Sequence, residues 1–305
     1  MDFKVIITQM VALFAIVIVG FVCKKKGLMG GDFDKKLSNM IVQVTCPALL
    51  IASTMGDVMP KRELIPMLLI VSALTYVFLI SLAYIIPRFM PVKKDMRGMY
   101  SFMITYSNVG FIGYPVVASI FGQEAVFYAA ILNVANTITV FIWGVMFING
   151  DSFKEGFNFK LLRTPAMIAT YISVIIVCLG WQAPKFIGQP MALVGNMTVP
   201  ASLLIIGSSL AGIPTKKMVG TPSTFIMCAL KLLILPLILF HLLIAIGVDH
   251  QVSAIDTVLI AMPVASFGTI FCLKYGKDET AMSQGTFWST LLSVVSVPLL
   301  VMLLK

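Results

Sequence analysis

Apolar stretches about 20 residues long, enough to carry a helix across the hydrocarbon of a bilayer, follow one another along almost the whole chain. Ten can be read: residues 5–23, 37–55, 64–86, 98–120, 125–148, 164–180, 190–211, 220–247, 252–272 and 281–303. The longest polar stretch between them, around 149–163, is too short for a separate soluble domain. Only 11% of the 305 residues are charged and 59% are hydrophobic, which cannot furnish a water-covered surface. Because helices satisfy their own backbone in lipid, the expected class is an all-α integral membrane protein with ten transmembrane helices. Any function must then sit inside the helical bundle.

The charges that remain are sorted by side. With loops taken alternately, one side carries sixteen basic residues, among them Lys24, Lys25, Lys26, Arg88, Lys93, Lys94, Arg97 and Arg163. The other side carries five: Lys4, Lys61, Arg62, Lys185 and Lys305. Lys231 alone falls within a span. By the positive-inside rule the rich side is cytoplasmic, which places both termini outside, in a multi-pass protein of the cell (inner) membrane. The net charge of +9 therefore marks topology, not a nucleic-acid partner. The Lys24–Lys26 cluster follows the first apolar run, whereas a secretory leader carries its charge ahead, so the first helix is expected to stay. Cys23, Cys46, Cys178, Cys228 and Cys272 lie singly in five segments, which supports neither a disulfide framework nor a metal site.

The chain also echoes itself. Thr45-Cys46-Pro47-Ala48 returns as Thr198-Val199-Pro200-Ala201, 153 residues on, and the Gly122-Gln123-Glu124-Ala125 region returns around Gly276, 154 residues on. Half of the chain is about that length. Five spans precede the central loop and five follow, and five is odd, so the second copy enters from the opposite face. The expected organisation is a five-helix repeat over 1–150, a short cytoplasmic connector over 151–163 and a second, inverted repeat over 164–305. Inverted repeats are a common way to build secondary transporters.

Two spans carry breakers at equivalent places. The fourth contains Asn108-Val109-Gly110-Phe111-Ile112-Gly113-Tyr114-Pro115, and the ninth Met262-Pro263-Val264-Ala265-Ser266-Phe267-Gly268-Thr269. Proline removes a backbone donor and clashes with the preceding turn, and glycine weakens a helix further. An interrupted helix persists at membrane depth where protein or a watery cavity surrounds it, and paired interruptions point to a transporter's binding site. The exposed N–H groups and positive dipole ends of the half-helices suit an anion. A packing kink is the bland account of either break by itself.

The run Asn108-x-x-x-x-Gly113-x-Pro115, followed by Phe121-Gly122, resembles the fourth-helix signature of the auxin efflux carrier family, which includes plant auxin carriers and bacterial organic-acid permeases. Ala261-Met262-Pro263 leading to Lys274-Tyr275-Gly276 resembles its ninth helix, and Pro47-Ala48-Leu49 extends the likeness toward the N-terminus. The resemblance implies two inverted five-helix repeats with broken helices four and nine crossing at mid-membrane. It also implies a scaffold of helices 1, 2, 6 and 7, through which the protein would form a homodimer, and a mobile transport domain of helices 3–5 and 8–10. One departure is Phe267, where relatives often carry Asn; it shifts polar work onto Asn108, Ser266 and Thr269.

Further candidates are ionisable or polar groups at depth. Lys231, halfway along span eight, could neutralise a carboxylate substrate or pair with Asp256; the alternative is a snorkelling or neutral lysine. Asp256, four residues into span nine, reads as an exposed end-of-helix charge near the outer face. Glu124 opens span five as an ordinary dipole partner, with proton coupling as the minority reading. Asn133 and Asn136 share one face of span five, and Gln284 and Ser289 lie on span ten; they would line a cavity or bond between helices.

The expected function is secondary transport of small organic anions (carboxylates such as malate, malonate or auxin-like acids) by an elevator type of alternating access. Asn108 would bond the carboxylate, with Gly110, Gly113, Tyr114, Pro115, Pro263, Ser266, Thr269, Asn133 and Asn136 around it. No cofactor or metal is called for; protons are the expected coupling ion if there is one. A passive anion channel is the alternative. An intramembrane enzyme is disfavoured: His241 and His250 are the sole histidines, and no HExxH, Gly-x-Ser-x-Gly or Gly-x-Gly-Asp motif occurs.

Overall fold

The computed structural model of the protein describes residues 3–55, 60–149, 163–212, 219–265 and 267–304. In chain order its helices are α1 (Phe3–Lys25), α2 (Gly31–Met40), α3 (Cys46–Ala52), α4 (Ile65–Phe89), α5 (Arg97–Thr105), α6 (Tyr114–Phe121), α7 (Ala125–Thr139) and α8 (Val145–Asn149). They continue as α9 (Pro165–Leu179), α10 (Lys185–Asn196), α11 (Thr198–Gly212), α12 (Pro222–Ala229), α13 (Leu235–Ala245), α14 (His250–Ile260), α15 (Phe267–Lys274) and α16 (Thr280–Leu303). Among the described residues there is no β-strand, only one isolated bridge between Ser107 and Val264. The all-helical class expected from the missing charge is therefore observed.

Among the described residues, four continuous helical stretches are long and apolar enough to cross a membrane: Arg62–Phe89, Lys185–Gly212, Pro222–Ala245 and Thr280–Leu303. A fifth candidate, Ala125–Thr139 with Ile142–Asn149, bends by 43°. Several of the other expected spans are divided into shorter pieces, and proline accounts for part of this. Four π-helical turns occur among the described residues, at Ile41–Thr45, Val109–Gly113, Val140–Gly144 and Leu230–Ile234. Three of them end two residues before a proline: Pro47, Pro115 and Pro236. The pyrrolidine ring cannot accept the carbonyl four residues back, and a wider turn moves that carbonyl aside while the chain stays helical. Proline does not impose this everywhere, since Pro87, Pro190 and Pro298 sit within helices that have no such turn.

Polarity within the long helices is reversed relative to a water-soluble protein. On α4, Ser72 and Thr75 are buried while Ile70 and Val77 are 60% and 65% exposed. On α16, Gln284, Ser289, Ser293 and Ser296 are buried while Val295 and Leu303 are exposed. Hydroxyls turned inward and branched hydrocarbon turned outward fit a lipid solvent, which cannot bond the hydroxyls.

The chain divides into two compact units, each assembled from three separate segments. The first comprises Met1–Pro66, Gly110–Ile131 and Leu162–Ile213. There α1 lies along α11, and α3 packs against α9 and α10. Gly20 and Gly207 make the first contact close: a Cβ at either would collide with backbone, of Leu204 and Val17 respectively. Small residues are what let helices approach when lipid offers no hydrophobic drive. Ser173 Oγ bonds the Leu50 carbonyl at 3.1 Å, and Asp34 accepts from Ser208 at 2.5 Å. Thr45 and Thr198, the two ends of one sequence echo, are both fully buried with hydroxyl oxygens that find no partner.

The second unit comprises Met67–Val109, Leu132–Leu161 and Pro214–Lys305. In it α5 packs on α8 and α16, α12 on α16, and α13 on α14. Ser101 Oγ reaches the Ala83 carbonyl at 2.7 Å, Ser223 Oγ the Pro91 carbonyl at 2.7 Å, and Tyr106 OH the Thr139 carbonyl at 2.9 Å. Such long-range side-chain bonds to backbone hold helices that share no hydrophobic force in lipid.

Candidate functional site

Within the second unit two helices stop short and meet end to end. Helix α5 ends at Thr105, and Tyr106 leaves it in extended conformation at φ −100°, ψ 127°. Helix α14 ends at Ile260, and α15 starts only at Phe267. The two broken segments pair as a short antiparallel ladder. Asn108 N–H donates to the Pro263 carbonyl at 2.8 Å, and Ala265 N–H to the Tyr106 carbonyl at 3.0 Å. Pro263 only accepts here, so its missing N–H costs nothing. Val264 N–H finds Ser289 Oγ on α16 at 3.1 Å. Backbone groups released by the two breaks are thus taken up by each other and by α16, as an interior without water requires.

The last carbonyls of the two helices are also met. Lys231, on the π-helical turn ahead of Pro236, donates to the carbonyls of Ile104 (3.2 Å) and Thr105 (3.3 Å) and to Ser107 Oγ (2.7 Å). Ser107 Oγ in turn donates to the Ile260 carbonyl at 3.0 Å. An ammonium at a helix C-terminus meets the negative end of the helix dipole, and three acceptors use all three of its protons. Lys231 is 1% exposed. It therefore acts as a pin under the first break. All three of its bonds go to α5 and Ser107, and Lys231 forms no ion pair with Asp256, one of the pairings that the sequence left open.

Asp256 overturns a sequence expectation. It is 1% exposed, on a helix whose residues 252–260 are all buried, and is not an end-of-helix surface charge. Thr75 Oγ1 on α4 donates to its Oδ2 at 2.5 Å. The count of residues from the helix start misled, because the neighbours of α14 cover its first turns as well as its middle.

The break in the fourth span also lies elsewhere than Pro115 suggested. It falls at Tyr106–Asn108, ahead of the glycines; Gly110 and Gly113 belong to the π-helical turn and Tyr114 and Pro115 to the first turn of α6. Proline there begins a helix and does not hold one open. These four residues lie in the first unit, as does Glu124, half-buried just before α7. Pro263 and Thr269 lie in the second unit with Asn108, and Ser266 falls outside the described residues. Phe267 is 47% exposed and stacks on Phe271 at 6.2 Å.

Asn133 and Asn136 share a face as their spacing implied, with Asn136 Nδ2 donating to Asn133 Oδ1 at 2.8 Å. Asn136 Oδ1 is buried without a partner. Helix α7 meets α4 beside them, where Ser72 Oγ donates to the Leu132 carbonyl at 2.6 Å and accepts from Ala135 N–H at 3.2 Å. Sequence reasoning passed over Ser107, Thr75, Ser253 and Thr257. Hydroxyls are frequent in membrane helices, and nothing local distinguishes these four. Among the described residues no group of three or more His, Cys, Asp or Glu could hold a metal ion. His241 is exposed and bonds its own helix at the Leu237 carbonyl, at 2.8 Å.

A family model described as "Membrane transport protein" matches residues 5–157 and 152–301. An uncharacterized transporter of Methanocaldococcus jannaschii is 24% identical over 293 residues, which take in 93% of this chain and 94% of that protein. One of Methanothermobacter thermautotrophicus is 24% identical over 295 residues, covering 94% and 95%.

Proposed function

The chain belongs to the membrane transport protein family, that of the auxin efflux carriers, and on that premise we propose that it is a secondary carrier of small organic anions working by elevator-type alternating access. Transport follows from the family, and multiple membrane crossings from the apolar helices. The observation that carries it is the ladder Tyr106–Asn108 against Pro263–Ala265, where two interrupted helices exchange backbone bonds inside the second unit. Interrupted helices of this kind turn unpaired backbone groups and dipole ends toward a substrate. In this reading Asn108 bonds a carboxylate, and Thr269, Ser266, Asn133 and Asn136 border it.

The ladder belongs to ten spans in two inverted repeats that cross at mid-membrane, with both termini outside the inner membrane. A hydrogen bond supports this: Ser107 and Ile260 are 153 residues apart, the offset of the sequence echo, and they touch. Residues related by a two-fold axis meet each other only beside that axis. The proposed scaffold, spans 1, 2, 6 and 7, falls in the first unit as α1–α3 and α9–α11 and is where two copies associate; the proposed mobile transport domain, spans 3–5 and 8–10, takes in the second unit together with residues 110–131 of the first.

Purified protein in vesicles, offered a panel of mono- and dicarboxylates, takes up at least one of them saturably and shows counterflow. Uptake linear in concentration would point to a channel and sink the carrier. Asn108→Ala lowers the uptake efficiency about tenfold to a hundredfold, the worth of one hydrogen bond to a charged group, while His241→Ala leaves it unchanged. The opposite pattern would remove the ladder from the transport path.

A further inference from the structure

We propose that Asp256 anchors a binding site for one monovalent hard cation, a proton or a sodium ion, completed by Thr75 and by buried oxygens of α14 and α7. The starting point is a carboxylate in the second unit with a single described hydrogen bond, from Thr75. The two salt bridges among the described residues, Lys36–Asp32 and Arg62–Glu63, are exposed pairs elsewhere. Lys231, the one buried ammonium among the described residues, spends its protons on α5 and Ser107. A buried carboxylate without a counter-charge costs more than one hydroxyl returns, so it must be neutralised by something that enters.

A second, separate observation says what enters. Ser253 Oγ and Thr257 Oγ1 are fully buried and have no partner. With Asp256 they fall within about 100° of arc around α14, by the helical repeat. Asn136 Oδ1 is likewise buried and unpaired. Helix α7 reaches α4 through Ser72, and Thr75 follows Ser72 by about one turn on the buried stripe of α4. Each unpaired buried oxygen calls for an explanation: a bound sodium ion explains all three together, and a proton would make the Asp256 carboxyl a donor to one of them.

The donors fix the ion's class. They are carboxylate, hydroxyl and amide oxygens with neither thiolate nor imidazole, which suits hard ions and not softer transition metals. One carboxylate balances one positive charge, whereas divalent sites usually bring more than one acid. Other titratable groups on the packed elements do not supply that charge. Helix α4 carries Tyr76, Tyr84 and, at its far end, Arg88; α7 carries Tyr128, whose hydroxyl accepts from Lys61 N–H at 2.8 Å; α13 carries the exposed His241; α16 has none; and His250 starts α14 itself. Combined with the carrier reading, on which only its use in coupling rests, the site gives a cation whose arrival and departure alter the charge of the second unit.

The test reads binding without transport. Purified wild-type protein in nanodiscs is titrated with NaCl against choline chloride at fixed ionic strength, at several pH values, and followed by thermal unfolding. A saturable rise in melting temperature with sodium that weakens as pH falls identifies sodium competing with protons. A rise on acidification with no sodium effect identifies the proton. In either case Asp256→Asn, an uncharged isostere, loses the dependence. Thr75→Val and Ser253→Ala keep it with affinity about tenfold to a hundredfold weaker, as for lost supporting ligands. Wild-type and Asp256→Asn responding alike to both ions overturns the proposal, and so does full retention by Thr75→Val should Asp256→Asn fail to fold. Saturable uptake that ignores both gradients would leave the carrier standing without coupling, and bound cation without any uptake would do the reverse.

Discussion

The second unit buries two opposite charges that do not meet, and they are held in contrasting ways. Lys231 sits under the end of α5 with every proton placed. Asp256, equally buried, has one described bond and unpaired oxygens on its own face of α14. Depth in the membrane is the same kind of signal for both. What separates them is completeness: a saturated ion is part of the framework, and an unsaturated one leaves chemistry for something that comes and goes.

The largest expected effect breaks the saturated side. Lys231→Met keeps the length of the side chain but strands two carbonyls and a serine, and should destabilise by about 3 kcal/mol in thermal unfolding of detergent-purified protein. A loss under about 1 kcal/mol would mean that water or a neighbour can replace the ammonium, and the pin would fail as a description. Ser107→Ala removes one acceptor of Lys231 and the donor to Ile260 together, for a loss of about 1.5 kcal/mol by chemical denaturation. The smallest effect is on the unsaturated side. Asp256→Asn should shift stability by no more than about 1 kcal/mol, toward greater stability in sodium-free neutral buffer, because it removes a charge that nothing described balances. A strongly destabilised Asp256→Asn would make the two charges alike.

The helical class and the existence of both interruptions were readable from residues alone, because missing charge and clustered Gly and Pro act locally. The position of the first interruption was not. Pro115 was the obvious breaker, yet its clash is absorbed by the wide turn at Val109–Gly113, and the chain opens instead at Tyr106–Asn108. What opens it there is tertiary: the Lys231 ammonium, arriving from a distant span, satisfies the carbonyls that a continuous helix would have bonded itself. Asn108 and Pro263 were visible as candidates because they are unusual in apolar runs. Thr75, Ser107, Ser253 and Thr257 were not, since an inward hydroxyl and an outward one look identical in sequence. Asp256 was misjudged for a related reason, as burial depends on what covers a helix and not on how far along it a residue lies.

The close seam between α1 and α11, where Gly20 and Gly207 admit backbone against backbone, also constrains biogenesis. The chain leaves the ribosome N-terminus first, so α1 enters the bilayer long before its partner is made. It must wait there as a solitary helix, stable in lipid through its own backbone bonds, while most of the other helices are inserted. Its glycine notch stays unfilled during that interval and is open to wrong helices of this or another chain. A bulkier residue at Gly20 would therefore harm assembly late in synthesis, after insertion of α1 itself had succeeded.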